Sequence, residues 1–234
     1  MAVQQTLSAS VQDYAKAVYA LETRGAAPVS TNDLADRLGV TPGSVSGMVR
    51  KLCEVGVVEH EPYRGVRLTD HGRQVALEVL RHHRLIELFL AQELGMSWDR
   101  VDAEAEVLEH VLSEELERLI AARLGNPAVD PHGDPIPTLA LAVDERPTHS
   151  LDELSVGARG RFVRVSDSDP EMLRYLAEQG IALGAYLQVV DRQPFGGPAL
   201  VRLGDRDHPI GGQLARAMRI ELATDAEPDR SDRR

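Results

Sequence analysis

Glu106, Glu109 and His110 are the residues of this sequence whose types and spacing most plainly suggest chemistry. Taken as helix, at 100° per residue, the three share one narrow arc, with Val107, Leu108, Val111 and Leu112 forming an apolar stripe. Two carboxylates and an imidazole aimed at one point make a mixed oxygen–nitrogen donor set, suited to Mn²⁺, Fe²⁺, Co²⁺ or Zn²⁺. Carboxylates three or four residues apart repel by about 0.3 kcal/mol per pair, and no Lys or Arg stands between Glu104 and Glu117 to offset this. The residues alone leave two readings open: a cation supplied from elsewhere, or a solvated acidic face with a chance histidine. A second candidate pair, His83 and Glu87, stands four residues apart in the preceding helical stretch, where taken alone a packed or solvated pair is the usual reading. No nucleophile or phosphate-cradling motif accompanies these donors, so the chain is not expected to be an enzyme.

Those donors need elements to hold them. SVQDYAKAVYALETR, Ser10 to Arg24, has helical apolar spacing, with Ser10 and Asp13 as a capping-box-like start. VSTNDLADRLGV predicts a short helix capped by Thr31 or Asn32, and TPGSVSGMVRKLCEVG a second, capped by Thr41, with Pro42 at its first position and Gly56 at its end. VVEHEPYRGVRLT predicts two short strands around a turn at Tyr63–Gly65. Helix, turn at Gly39, helix and wing is the order of a winged helix-turn-helix, with Leu34, Ala35, Leu38, Val45, Val49 and Leu52 as its core. The outward residues Thr41, Gly43, Ser44, Ser46, Gly47, Arg50 and Lys51, with Pro42 at the helix start and Arg64 at the wing tip, then face DNA. Few of them are long, so readout leans on thymine-methyl contacts and DNA shape. Cys53 is expected on the buried side of the second helix as a small core hydrophobe, not a ligand.

Composition narrows the class. The 234 residues are 43% hydrophobic and 27% charged, with one cysteine, which excludes an internal disulfide framework. No apolar run approaches the roughly 20 residues of a membrane span, and the N-terminus lacks the pattern of a signal peptide. The expected location is cytoplasmic, with no membrane partner and no organic cofactor. Net charge is −11, yet through residue 75 eight Lys/Arg balance eight Asp/Glu. The acidic excess therefore lies outside the segment expected to meet DNA, which leaves nucleic acid open as a partner.

Beyond the wing, DHGRQVALEVLRHHRLIELFLAQELG predicts a long helix closed by Gly95, and Trp98 to Leu124 another closed by Gly125. NPAVDPHGDPIPT is a proline-punctuated loop. Short β-type runs follow, among them the related phrases LSVGARGRFVRV and IALGAYLQVVDR, with one helix, PEMLRYLAEQG, inserted. The tail TDAEPDRSDRR has the composition of disorder. The expected fold is mainly α with small β elements. Its domains are a winged helix-turn-helix over 1–75, a helical domain over 76–142, a linker at 143–150, a small β-barrel over 151–223 and a tail at 224–234.

The winged helix, then HHRLIELFL, DAEAEVLEHVLSEELE and a GDPIP loop, in that order, resemble the diphtheria toxin repressor family over about residues 8 to 140. Residues 151–222 look like the SH3-like (FeoA-like) third domain of its larger members. The resemblance implies a homodimer that binds palindromic operator DNA when metal is bound and represses metal-uptake genes. It carries over a regulatory site of Asp13, Glu106, Glu109 and His110. Iron-type members place Met and Cys where this sequence has Asp13 and Glu106, while manganese-type members place Asp and Glu, so Mn²⁺ is the expected metal. Fe²⁺ is the alternative, and Co²⁺ or Zn²⁺ can substitute in vitro. Small manganese regulators carry a Glu three residues after the first-helix Asp that bridges to a second ion; here that residue is Lys16, which departs from a close metal pair. An ancillary site is implied at His83 and Glu87, with further ligands drawn from Asp102, Asp130, His132, and Asp169 or Glu171.

Overall fold

The computed structural model describes residues 7–25, 27–61, 63–144 and 146–223; the tail expected to be disordered lies outside them. The chain divides into two compact units. One holds the residues up to Ile86 with Ala105–Asn126 and Ile136–Val143; the other holds Glu87–Glu104, Pro127–Pro135 and the chain from Asp144 onward.

In the first unit, α1 (Ala9–Thr23) buries Val11, Tyr14, Ala15 and Val18, a stripe at helical spacing. Its cap is Ser8, in extended conformation, so Ser10 lies inside the first turn and the expected Ser10–Asp13 capping pair does not form. Helix α2 (Thr31–Leu38) likewise starts one residue earlier than the sequence suggests: Ser30, not Thr31 or Asn32, accepts from Asp33 N at 3.0 Å. Gly39, at φ 64°, closes it. Helix α3 (Pro42–Glu54) begins as expected, with the Thr41 hydroxyl accepting from Ser44 N and Pro42 in the first turn. Leu34, Ala35, Val45, Val49 and Leu52 are buried between α2 and α3, and Leu38 packs at the edge of the same core. Cys53 is a correction: it is exposed, because one residue past Leu52 the chain has turned off the buried stripe.

The wing is β1 (Val58–Glu61) paired antiparallel with β2 (Gly65–Leu68). Val29 and Val66 exchange backbone hydrogen bonds at 2.9 Å, which ties the wing to the segment before α2. Gly65, at φ 126°, is required there, since a Cβ would run into the Val29 carbonyl.

Helix α4 (Asp70–Leu94) closes at Gly95 as expected. The single helix expected from Trp98 to Leu124 is instead two, α5 (Val101–Leu108) and α6 (Glu114–Arg123). Ser113 accounts for the break: it takes extended backbone angles and accepts from Leu116 N at 3.3 Å, capping α6. Glu114, Glu115 and Glu117 then fall in the first turn of α6. Glu109 and His110 consequently sit in the turn after α5, although Glu109 N still bonds to Ala105 O at 2.9 Å.

In the second unit, β3 (His149–Ser150), β4 (Arg159–Val165), β5 (Tyr186–Arg192), β6 (Ala199–Leu203), β7 (Arg206–Ile210) and β8 (Met218–Leu222) form an antiparallel sheet in the order β3-β8-β4-β5-β6-β7. Helix α7 (Pro170–Glu178) is the inserted helix expected; a short α8 (Gly212–Ala217) was not anticipated. The two related phrases form a reciprocal pair. Gly157 N bonds to Val189 O at 2.8 Å and Gly184 N to Phe162 O at 2.7 Å, so each phrase's glycine turn feeds one strand and locks onto the other. Phe162, Leu173, Leu176, Leu187, Met218 and Ile220 form the core beneath.

Candidate functional site

Within each unit one group of carboxylate and imidazole donors converges. In the first, donor atoms of Asp13, Glu109 and His110 lie within 4.8 Å of one another. Helix α1 presents Asp13, and the turn after α5 presents the other two. His110 Nε2 is 2.8 Å from Asp13 Oδ1 and 3.5 Å from Glu109 Oε1. The other imidazole nitrogen, Nδ1, faces Gln12 Oε1 at 2.6 Å; donation there orients the ring and directs Nε2 to the cluster. Glu106, the fourth residue expected at this site, is turned to Lys16, whose Nζ lies 2.6 Å from Glu106 Oε1 and 2.7 Å from Glu109 Oε1.

The charges act on one another. Burial, partly offset by His110 and Lys16, raises the pKa of Asp13. Burial would raise Glu109 too, but the His83 hydrogen bond and the Lys16 ammonium outweigh it and hold Glu109 low. Burial alone would lower Lys16; Glu109 and Glu106 reverse this and hold it charged.

Two adjacent histidines of α4 grip Glu109. His82 Nδ1 donates to its backbone oxygen at 3.2 Å, and His83 Nδ1 meets its Oε2 at 2.5 Å. One residue earlier, Arg81 pairs with the buried Glu117 of α6 and reaches the Pro137 carbonyl at 2.6 Å. Gln12 and His82 are contacts that sequence reasoning did not assign to the site, and the partners of Lys16 were not foreseen, because each depends on which helices meet.

In the second unit, donors of Glu87, His132 and Asp167 lie within 4.8 Å of one another. Glu87 and His132 were expected in one site; Asp167 was not. His132 is fully buried, with Nδ1 3.4 Å from Glu87 Oε1 and Nε2 2.7 Å from the Trp98 carbonyl oxygen, and its ring stacks on Trp98 at 6.1 Å. Asp130 Oδ1 accepts from His132 N at 2.8 Å and Asp134 N at 2.9 Å, closing the loop. That loop is docked on β4: Val165 N bonds to His132 O at 2.9 Å, and a Cβ on Gly133 would strike the Val163 carbonyl. Asp167, two residues beyond β4, arrives beside His132 by this route. Although burial lowers it, the neighbouring Glu87 and Asp130 push the His132 pKa up to about 9, while burial and nearby acids raise Asp167.

The remaining residues expected in an ancillary site are not part of this group. His83 is drawn to Glu109, in the first unit. Asp169 caps α7, accepting from Glu171 N at 3.0 Å, and Glu171 is i,i+3 to Arg174. Asp102 is half-buried near the start of α5.

On the winged helix, Thr41, Pro42, Gly43, Ser44, Ser46, Gly47, Arg50 and Lys51 are all exposed along α3. Thr41 and Ser46 spend their hydroxyls partly on their own helix, Ser46 donating to Pro42 O at 3.0 Å. Arg64 is exposed at the wing and pairs with Glu61 at 3.2 Å. In the first unit Val107, Val111, Leu116, Leu119 and Leu139 are exposed apolar side chains, Val107 at 69% and Val111 at 76%. Among the described residues, no helix is long and apolar enough to cross a membrane.

Comparison with known proteins gives three consecutive matches: residues 6–66 to "Iron dependent repressor, N-terminal DNA binding domain", 69–138 to "Iron dependent repressor, metal binding and dimerisation domain", and 149–222 to "FeoA domain". The iron-dependent repressor IdeR of Mycobacterium tuberculosis is 31% identical over 220 residues, covering 89% of this chain and 95% of the relative. The diphtheria toxin repressor of Corynebacterium efficiens is 30% identical, covering 89% and 93%. A solved structure described as a manganese-dependent transcriptional repressor in complex with manganese superposes with a TM-score of 0.85 at 42% identity, over 91% of this chain and all of the other.

Proposed function

The chain belongs to the iron-dependent (diphtheria toxin) repressor family of metal-dependent DNA-binding repressors, and from that premise we propose that its activating ion is Mn²⁺. One observation carries the choice: the donors gathered at the first centre are two carboxylates and an imidazole, a hard oxygen-rich set. The only cysteine, Cys53, is exposed on α3. The likeness to a manganese-dependent repressor at 42% identity supports the same reading.

The residues fit a divalent ion. Asp13, Glu109 and His110 would hold it, with Glu106 one turn back on α5 as the fourth donor. Bound there, the ion supplies concentrated positive charge. The chain supplies the linkage: Asp13 belongs to α1, which packs in the core of the winged helix, and Glu109 and His110 belong to the segment that carries the exposed Val107 and Val111. Anchoring these donors together fixes the DNA-reading helices relative to a dimer built on Val107, Val111, Leu116, Leu119 and Leu139. Two copies of α3 then address the half-sites of a palindromic operator, with Arg50, Lys51 and Arg64 on phosphates and Gly43, Ser44 and Gly47 against base edges. Glu87, His132 and Asp167, with Asp130 in the same loop, would form an ancillary ion site, with Asp167 added to the residues expected there.

The test is operator affinity by fluorescence anisotropy, using DNA selected from random sequence with metal-free protein. Mn²⁺, anaerobic Fe²⁺ and Zn²⁺ are titrated into wild type and Glu106→Cys. Mn²⁺ should tighten wild-type binding most, and the variant should move toward Fe²⁺ or Zn²⁺. Stronger activation of wild type by Fe²⁺ assigns it to iron, as the names of its sequence relatives would have it; binding indifferent to metal and chelator removes the metal site from the mechanism.

A further inference from the structure

A positive charge already stands among the acids of the regulatory centre. Lys16 lies one turn past Asp13 on α1, and its Nζ meets Glu106 Oε1 at 2.6 Å and both oxygens of Glu109 at 2.7 and 3.0 Å. The Glu109 side chain is fully buried and that of Lys16 is 16% exposed, so little water screens the pair. The Glu109 oxygen that Lys16 holds at 2.7 Å is the one 3.5 Å from His110 Nε2. Any cation shared by Glu109 and His110 therefore contends with the ammonium for the same oxygen. Glu106, the remaining donor, is also engaged by Lys16 rather than turned to Asp13 and His110.

We infer that Lys16 is the resident counter-cation of this centre, competing with the activating divalent ion for Glu109 and Glu106 and so raising the metal concentration at which the protein responds. The inference rests on the metal-dependent reading above. Its physics is charge substitution. In the metal-free chain the ammonium relieves repulsion among Asp13, Glu106 and Glu109; when an ion enters, the two positive charges repel, and Lys16 gives up at least part of its hold. A neutral, unbranched residue one atom shorter removes the competitor and leaves the donors.

Isothermal titration of Mn²⁺ into the metal-free full chain tests this in wild type, Lys16→Met and Lys16→Arg, all carrying Asp167→Asn so that the second group of donors is weakened equally. Lys16→Met should bind Mn²⁺ tighter by about tenfold, the order expected when one like charge leaves a poorly hydrated site. Lys16→Arg, which keeps the charge, should stay close to wild type. The metal-free Lys16→Met protein should also melt at lower temperature and gain more on adding Mn²⁺. Unchanged or weaker binding by Lys16→Met, or equal tightening by Lys16→Arg, overturns the inference while leaving the metal centre standing. Failure of all three proteins to bind Mn²⁺ overturns the metal reading itself and the inference with it.

Discussion

His83 and Glu109 meet at 2.5 Å, Nδ1 to Oε2, while the adjacent His82 holds the Glu109 backbone oxygen. Glu109 is therefore fixed at both ends before any ion arrives, and its side chain is fully buried. Glu109→Gln should lose Mn²⁺ binding and also destabilise the metal-free protein by about 3 kcal/mol, because it leaves buried positive charge without its partner. Denaturant unfolding under chelator checks the second effect separately from the first.

Asp13 is different in kind. It is half-buried, caps nothing, and meets His110 from another helix. Asp13→Ala should leave the metal-free helix content and unfolding midpoint nearly unchanged while uncoupling Mn²⁺ from operator affinity. Undiminished metal-dependent DNA binding in this variant would refute the linkage between α1 and the turn after α5.

Gly47 separates folding from recognition. It lies exposed in α3 with open space where a Cβ would go. Gly47→Ala should stabilise the free protein by about 1 kcal/mol through helix propensity. The same methyl group should weaken operator binding if this face lies against DNA, and a thermal melt paired with an anisotropy titration reads both signs.

Asp167 and Asp169 make a matched control two residues apart. Asp169→Ala should cost about 1 kcal/mol through the lost cap on α7 and leave metal stoichiometry alone. Asp167→Asn should lower binding at the second site with little loss of stability. Equilibrium dialysis with metal analysis distinguishes them, and the reverse pattern would restore Asp169 as the ligand.

His132 sets a pH dependence. Its pKa rises from 6.5 to about 9 in the folded metal-free protein. A raised value means the protonated imidazole favours the fold: that contribution is complete below pH 6.5 and is lost as pH climbs through about 9. Unfolding midpoints of metal-free wild type should accordingly fall over that window more than those of His132→Gln.

Much of this was legible locally. Thr41-Pro42 at the start of α3 and Gly95 after α4 are caps whose geometry depends only on neighbouring residues; Asp169-Pro170 before α7 is another of the kind, but Asp169 was read as a ligand. The Glu106, Glu109 and His110 grouping was legible as spacing, although two of the three turned out to follow the helix rather than lie on it. The apolar period ran unbroken through Ser113, and that hid a cap with three acids behind it. Other misses were long-range. Nothing near Asp167 announces that the His132 carbonyl bonds to Val165 N and draws the two side chains together. Lys16 was visible as an unusual residue, but its partners lie 90 and 93 positions away.

The break at Ser113 gives one stretch of acidic sequence two opposite meanings. A helix carries partial positive charge at its start and partial negative charge at its finish, concentrated in the end turns. Glu114, Glu115 and Glu117 stand at the opening of α6, where the backbone field welcomes them. Glu106 and Glu109 stand at the close of α5, where the same field opposes them. Within a dozen residues the polarity of the peptide chain reverses under side chains of one type. The first group reinforces its helix; the second adds to the negative pole of α5, and the Lys16 ammonium answers both.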